Sequence, residues 1–227
     1  MTARICVSIL PKTNEEALSL IEKAEKERAD FIEVRLDRLE TSRNLSNLAK
    51  STKIPLIATN KLQSEQGFFS GTQTQRQETL LNAAKNGFEY VDVDLSCQKH
   101  KETINQLKQL GAKTIVSYHK FDGSLSASEM EKVLAEEIAS GASVCKIVTT
   151  ANKIEDNLTA LNFVSSAASK TKLVCFCMGK QGKISRLLSP LFGAFFTFAS
   201  LEADSQTATG QMSVGEMRTA YSLLGMK

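Results

Sequence analysis

The 227-residue chain combines 42% hydrophobic with 23% charged residues, a balance typical of a globular protein with one full core. Its net charge is only +3 and its basic residues are scattered among acidic ones, which argues against a nucleic-acid-binding protein. No apolar run is long enough to span a bilayer or to serve as a signal peptide. We therefore expect a cytoplasmic protein, or an organellar one whose transit peptide has been removed, that acts on a small soluble molecule.

Short β-rich runs alternate with longer helical patterns along the whole chain. Strands are predicted at residues 4–10, 30–36, 55–59, 90–95, 113–119, 143–149, 172–177 and 195–199. Helices are predicted at residues 14–28, 45–50, 74–86, 99–110, 127–140, 154–169, 184–191 and 213–224. Strict alternation indicates a parallel sheet covered by helices, and eight units favour a closed (β/α)8 TIM barrel, one domain over residues 1–227. No Gly-x-Gly-x-x-Gly follows the first strand, so a Rossmann fold is disfavoured.

Five cysteines occur, at positions 6, 97, 145, 175 and 177. Their number is odd, they contain no Cys-x-x-Cys pair, and no His-rich segment accompanies them. A disulfide scaffold and a zinc site are therefore both disfavoured.

The sixth predicted strand contains Lys146 within an otherwise apolar run. Burial penalises the charged ammonium, and a neutral lysine amine can attack a ketone to form a Schiff base. Alternatively, the side chain extends to water at the strand end or pairs with a carboxylate. The strand alone leaves both interpretations open.

The other chemically useful side chains follow the predicted strands at one end of the barrel. In a TIM barrel the carboxyl ends of the strands form the active site, so residues remote in sequence converge there. Each has a plainer alternative: a structural ion pair between Glu33 and Arg35, a surface position for His119, and an exposed salt bridge for Arg186. Their convergence favours a site. The residues concerned are Glu33, Arg35, Lys61, Glu65, His119, Lys146, Arg186 and Gln211.

These residue types predict a particular chemistry. Lys146, beside cationic neighbours and an apolar wall, would be partly deprotonated and would condense with a ketone, and the iminium would acidify the adjacent C–H. Elimination or aldol cleavage would follow. His119 has the ordinary pKa for moving protons near neutrality, and Glu65 could fix its tautomer. Arg186 could hold a substrate carboxylate in a bidentate pair.

Six segments in order resemble type I 3-dehydroquinate dehydratase, over nearly the whole chain. They are Glu-Val-Arg-Leu-Asp at 33–37, Ser-Tyr-His at 117–119, Val-Cys-Lys-Ile-Val-Thr-Thr at 144–150, Ile-Ser-Arg at 184–186, Phe-Gly at 192–193 and Thr-Gly-Gln at 209–211. The resemblance implies a TIM barrel, usually a homodimer, that dehydrates 3-dehydroquinate to 3-dehydroshikimate in the shikimate pathway of aromatic amino acid biosynthesis, without metal or organic cofactor.

The resemblance also implies a role for each site residue. Lys146 would form the Schiff base with the C3 ketone, His119 would be the general acid/base that helps to expel the C1 hydroxyl, and Glu65 would orient that histidine. The remaining residues would bind substrate: Arg186 its carboxylate, Glu33, Arg35 and Gln211 its ring hydroxyls, Met178 and Phe198 its apolar surface, with Lys61 and Thr207 completing the pocket.

The chain departs from the family pattern at two places. Lys61 stands where the family commonly has arginine, and a lysine cannot form a bidentate fork. Thr207-Ala-Thr-Gly-Gln211 replaces the common Ser-Ala-Pro-Gly-Gln, which keeps a hydroxyl but loses a proline. Two other functions are compatible with the same residues: a class I aldolase-like lyase with a different keto substrate, and a non-catalytic barrel that binds a metabolite.

Overall fold

The computed structural model describes residues 3–40, 44–202 and 207–226. Within them, eight strands alternate with eight α-helices, as predicted. The strands are β1 (Ile5–Ile9), β2 (Phe31–Arg35), β3 (Leu56–Thr59), β4 (Tyr90–Asp94), β5 (Lys113–His119), β6 (Val144–Thr150), β7 (Leu173–Met178) and β8 (Thr197–Ser200). The helices are α1 (Asn14–Lys26), α2 (Leu45–Lys50), α3 (Gln73–Lys85), α4 (His100–Gln109), α5 (Ala127–Ala139), α6 (Asp156–Ala167), α7 (Lys183–Leu188) and α8 (Val214–Leu223).

The strands form one parallel sheet that curls into a barrel. Each strand pairs with the next from β1 to β7, and β1 also pairs with β8. The gap between β7 and β8 is bridged just before β8, where the Phe195 N–H donates to the Leu173 carbonyl at 2.7 Å. The predicted (β/α)8 TIM barrel is therefore confirmed.

The inside of the barrel changes character along the strands. Successive strand residues point to opposite faces, so every second residue points inward. Toward the amino ends of the strands these residues are apolar, and each buried side chain of this size contributes about 1.5–3 kcal/mol. Toward the carboxyl ends most of them are charged or polar, which creates the site. The apolar cluster reaches up to the pocket, which its members Val148, Phe176 and Phe198 line. The other members are Cys6, Phe31, Ile57, Tyr90, Ile115, Val144, Val174, Phe195 and Phe196.

Most helix boundaries lie close to the predicted ones, and two differences have local causes. The predicted helix at 154–169 begins at Asp156, because the Asp156 carboxylate accepts the N–H groups of Asn152 and Lys153 and holds that segment in a turn. The predicted helix at 184–191 ends as α7 at Leu188 and continues as a 3-10 turn that contains Pro190, which lacks an N–H. No helix in the described ranges is long and apolar enough to cross a membrane.

Glu137 of α5 is a fully buried carboxyl group on the outer side of β6. It lies against the Cys145 side chain and the Lys146 backbone. Burial raises the pKa of Glu137 well above its ordinary value of 4.5. Burial and the nearby Glu137 together raise the pKa of the Cys145 thiol to about 12. Glu137 therefore stays protonated in the folded protein over a wider pH range than in the unfolded chain.

Replacing Glu137 with glutamine is expected to make folding stability less dependent on pH. Because the folded-state pKa is raised, the stability that protonated Glu137 contributes is full below its ordinary pKa of 4.5 and declines as the pH rises through the folded-state value. The neutral amide removes this decline, which amounts to at most about 1.4 kcal/mol per pH unit. Urea unfolding at about pH 4 and about pH 8 measures the effect, and a wild-type-like pH dependence of the variant would contradict it.

Candidate active site

A pocket opens at the carboxyl ends of the barrel strands, with about 650 Å³ of empty space when the solvent at its open mouth is included. It is where a TIM barrel places its active site, because the loops that follow the strands converge at this face. The structure brings all eleven residues predicted for the site to the wall of this one pocket. They are Glu33, Arg35, Lys61, Glu65, His119, Lys146, Met178, Arg186, Phe198, Thr207 and Gln211.

Lys146 points into the barrel from β6 and is only 5% exposed. Its Nζ lies 3.0 Å from Asp92 Oδ2 and 3.9 Å from Glu33 Oε1. The ring of Phe198 supplies an apolar wall, with its centroid 4.4 Å from Nζ. The sequence interpretation expected cations beside this lysine; the groups that pair with Nζ are carboxylates, and the nearby cation, Lys61, binds the other oxygen of the same Asp92. Pairing with a carboxylate, the plainer alternative for Lys146, therefore occurs, and it occurs inside the pocket.

Asp92 connects Lys146 to a second buried lysine. Lys61 Nζ donates to Asp92 Oδ1 at 3.0 Å, to Ser117 Oγ at 3.1 Å, and to Asp94. Burial lowers the pKa of Lys61, but Asp92 and Asp94 outweigh it and the net pKa is raised. Burial likewise opposes ionisation of Asp92, but Lys146 and Lys61 outweigh it and its pKa is lowered. Lys61 is therefore held as an ammonium by the carboxylates of β4.

The sequence interpretation missed Asp92 and Asp94, although their pattern was visible. They alternate with Val91 and Val93, which places both carboxylates on the inner face of β4. It also missed Arg76, which is only 2% exposed although it lies in α3. Arginine in a helix usually faces water, so no sequence signal distinguished this one.

His119 ends β5, stacked on Phe121 with ring centroids 5.8 Å apart and ring planes 10° apart. Burial lowers its pKa well below the ordinary value of 6.5, and Lys61 and Lys146 lower it further, while Asp94 and Asp92 oppose them. The imidazole is therefore neutral at neutral pH. A neutral ring has one nitrogen free to accept a proton, as a general base requires.

Glu65 does not take the position expected for it beside His119. Its carboxylate lies 3.1 Å from Arg76 Nη2 and accepts the Ser96 hydroxyl at 3.2 Å. Within the described ranges, the carboxylate at ion-pair distance from His119 is that of Asp94, with Oδ1 3.9 Å from Nδ1. The buried Arg76 cation attracts Glu65 more strongly than a neutral imidazole can.

Glu33 and Arg35, the second predicted pair, each have other partners. The Glu33 carboxylate accepts hydrogen bonds from the Ser8 hydroxyl and, at 2.9 Å, from the Thr59 hydroxyl. Arg35 forms a bidentate pair with Asp37, with both N···O distances 2.7 Å. The alternative of a direct Glu33–Arg35 ion pair is therefore wrong. Both side chains line the pocket with their orientation fixed.

Arg186 of α7 is 2% exposed and has no carboxylate within ion-pair distance among the described residues. Its guanidinium carbon lies 4.3 Å from the centroid of the Phe176 ring. Burial lowers its pKa to about 10, against an opposing effect of Cys177. The alternative of an exposed salt bridge is wrong. A buried guanidinium without a counter-ion at a pocket wall is suited to an anionic ligand.

The loop that contains Thr207 and Gln211 covers one side of the pocket. Gln211 Oε1 accepts the Thr207 N–H at 2.7 Å, and Gln211 Nε2 donates to the Thr207 hydroxyl at 3.0 Å. Gly210 has φ +80° and packs so closely on Gly179 that an added Cβ would lie 2.2 Å from its carbonyl oxygen. The loop is therefore attached to the end of β7 without the proline common in the family.

Comparisons with known proteins agree with this geometry. A family model described as type I 3-dehydroquinase matches residues 5–227. The 3-dehydroquinate dehydratase of Dehalococcoides mccartyi is 35% identical over 195 residues, which cover 86% of this chain and 86% of that protein. That of Methanosarcina acetivorans is 32% identical over 221 residues, with 92% and 91% covered.

The fold is shared with a solved structure. The type I 3-dehydroquinate dehydratase of Clostridium difficile, crystallised with covalently modified comenic acid, matches with a TM-score of 0.89 over 98% of this chain and 92% of that one, at 24% identity. The family model extends over nearly the same residues as the barrel, and the two relatives cover 86% and 92% of the chain. The chain is therefore an enzyme of the type I 3-dehydroquinase family.

Proposed function

We propose that this enzyme dehydrates 3-dehydroquinate to 3-dehydroshikimate through a Schiff base on Lys146. One observation supports this most strongly: a buried lysine amine and a buried arginine without a counter-ion face the same pocket. The lysine suits a ketone and the arginine suits a carboxylate. A substrate that carries both groups on one ring would engage both residues at once.

The reaction begins with imine formation. The Lys146 ammonium loses a proton, its amine adds to the C3 ketone, and the carbinolamine expels water to leave an iminium ion. His119, neutral at neutral pH, accepts and returns the protons in these steps. The iminium supplies the electron sink, so the mechanism needs no metal or organic cofactor.

Elimination and release complete the cycle. The iminium acidifies the C2 proton, neutral His119 removes it as the general base, and the resulting imidazolium gives that proton to the C1 hydroxyl, which leaves as water. A water molecule then hydrolyses the conjugated iminium, which frees the enone product and restores the lysine amine. Asp92, whose pKa is lowered, remains ionised and stabilises the positive charge at Nζ throughout.

Substrate binding is divided among the other pocket residues. Arg186 holds the carboxylate, the fixed groups of Glu33 and Arg35 bind ring hydroxyls, and Gln211 does the same from the loop. Met178 and Phe198 contact the apolar face of the ring. Lys61 and Thr207 complete the wall, and Lys61 acts chiefly as a counter-ion for the β4 carboxylates rather than as a bidentate clamp.

Replacing Arg186 with glutamine is expected to raise KM for 3-dehydroquinate by about 10- to 100-fold, which corresponds to a lost charge-assisted pair of about 1.5–3 kcal/mol. Arg186→Lys keeps the charge but cannot form a bidentate pair, so its KM should lie between those of Arg186→Gln and the wild type. Steady-state kinetics measure both. A KM unchanged in Arg186→Gln would show that the carboxylate binds elsewhere.

The activity itself is tested by incubating the protein with 3-dehydroquinate and following the absorbance of the enone product. The Lys146→Ala variant, prepared in the same way, gives the background. A rise in absorbance that exceeds this background supports the proposal, and equal traces for the two proteins would refute it.

We also infer that the protein is a cytoplasmic homodimer built from single-domain subunits. Ile154 and Leu158 near the start of α6 and Ile184 in α7 are large apolar side chains that are 41–60% exposed. Helices α6 and α7 pack against each other, so these exposed apolar side chains belong to neighbouring elements. A second copy of the chain would cover these apolar side chains. Light scattering in solution measures the molecular mass, which distinguishes a dimer from a monomer.

A further inference from the structure

Asp94 occupies the centre of a buried charged array below the pocket. Its carboxylate accepts hydrogen bonds from Lys61 Nζ and Arg76 Nη2, and from Ser117 Oγ at 3.2 Å. Asp94 Oδ1, the oxygen that binds Lys61 and Ser117, also lies 3.9 Å from Nδ1 of His119. The single Ser117 hydroxyl proton is shared with Asp92, whose Oδ1 lies closer at 2.7 Å, so the two buried cations are the groups that chiefly fix the Asp94 carboxylate.

Arg76 connects this array to Glu65, the carboxylate that the sequence interpretation placed beside His119. Its Nη2 lies 3.1 Å from Glu65 Oε2 and also contacts Asp94, and its Nε donates to the Asn60 carbonyl at 2.6 Å. The guanidinium is anchored on the backbone after β3 and holds both carboxylates. The same Nη2 atom therefore holds both carboxylates, and of the two it is Asp94 that comes within ion-pair distance of His119.

We propose that Asp94, fixed by Arg76 of α3, is the residue that positions His119, in place of Glu65. This inference rests on the proposed dehydratase function for its kinetic consequences. Asp94 favours the tautomer with the proton on Nδ1, which leaves Nε2 free as the base toward the substrate. The 3.9 Å separation is longer than a hydrogen bond, as is common for catalytic contacts before substrate binds.

The charges around His119 determine the direction of the expected change. Lys61, which follows β3, and Lys146 of β6 disfavour the imidazolium, whereas Asp92 and Asp94 of β4 favour it. Phe121 stacks on the ring without charge. Removing the negative charge of Asp94 should therefore lower the pKa of His119 further and weaken the preference for one tautomer.

The chain contains only two histidines, which allows a direct test. In protein labelled with ¹⁵N-histidine, the ring nitrogen shifts report the tautomer and titration of His119 and His100 without substrate. His100 of α4 binds the Cys97 carbonyl and the Ser140 hydroxyl, and serves as an internal control. Asp94→Asn should change the His119 shifts and leave those of His100 in place, whereas Glu65→Gln should change His119 less.

Kinetics provide the second measurement. Asp94→Asn should lower kcat by about 10- to 100-fold with little change in KM, part of the contribution of a general acid–base. Asp94→Glu, which restores the charge, should recover part of the loss. Should Asp94→Asn fail to fold, Arg76→Lys, which cannot hold both carboxylates, is used for the same histidine spectra.

The outcomes separate this inference from the dehydratase assignment. His119 shifts that respond to Glu65→Gln but not to Asp94→Asn, or to neither, would overturn the positioning role of Asp94. The spectra need no substrate, so an inactive wild type would refute the function while leaving this test intact. A kcat of Asp94→Asn equal to that of the wild type would also overturn it.

Discussion

The Lys146→Ala variant is expected to lose turnover of 3-dehydroquinate by about 10⁴-fold or more, because the amine that forms the covalent intermediate is gone. Borohydride reduces an iminium to a stable amine. Wild-type protein treated with borohydride and substrate should therefore gain a covalent adduct that the variant lacks. Mass spectrometry of the intact protein and of its peptides measures the adduct and locates it.

Lys61 makes this experiment discriminating, because it is a second lysine at the wall of the same pocket. Its ammonium is held by Asp92, Asp94 and Ser117, and its pKa is raised, so it has no free electron pair for attack. The adduct should therefore lie on Lys146 alone. An adduct on Lys61, or none on the wild type, would refute the Schiff-base assignment.

His119→Ala is expected to lower kcat by about 10²- to 10⁴-fold, the usual contribution of a general acid–base. Lys146 and its carboxylate neighbours remain, so the variant should still form the borohydride-trapped adduct, although more slowly. Kinetics combined with mass spectrometry separate the two effects. This combination of slow turnover and retained adduct is specific to a proton-transfer role.

His100 offers the matched control for that variant. It lies in α4, outside the residues that line the pocket, and it is bound by Cys97 and Ser140. His100→Ala should therefore keep kcat close to that of the wild type. Equal losses in the two histidine variants, or unchanged turnover in His119→Ala, would contradict the role given to His119.

The alternation of strands and helices in the sequence predicted both the barrel and the residues that line its site. Alternating short and long elements determine a parallel sheet with helices outside, and eight units close it. Closure brings the carboxyl ends of all strands to one face, so residues as distant in sequence as Glu33, Lys146 and Gln211 line one pocket. The topology alone was therefore sufficient to predict which residues line the pocket, although it did not predict the contacts between them.

Which of these side chains pair with each other was decided only by the tertiary structure. The sequence predicted Glu65 beside His119 and cations beside Lys146; the structure has Asp94 beside His119, and Asp92 between Lys146 and the cation Lys61. Contacts between strands depend on register and on the reach of each side chain, which spacing along one strand does not specify. Arg76 is the clearest case: only the packing of α3 on the barrel turns it inward to bind Asp94 and Glu65.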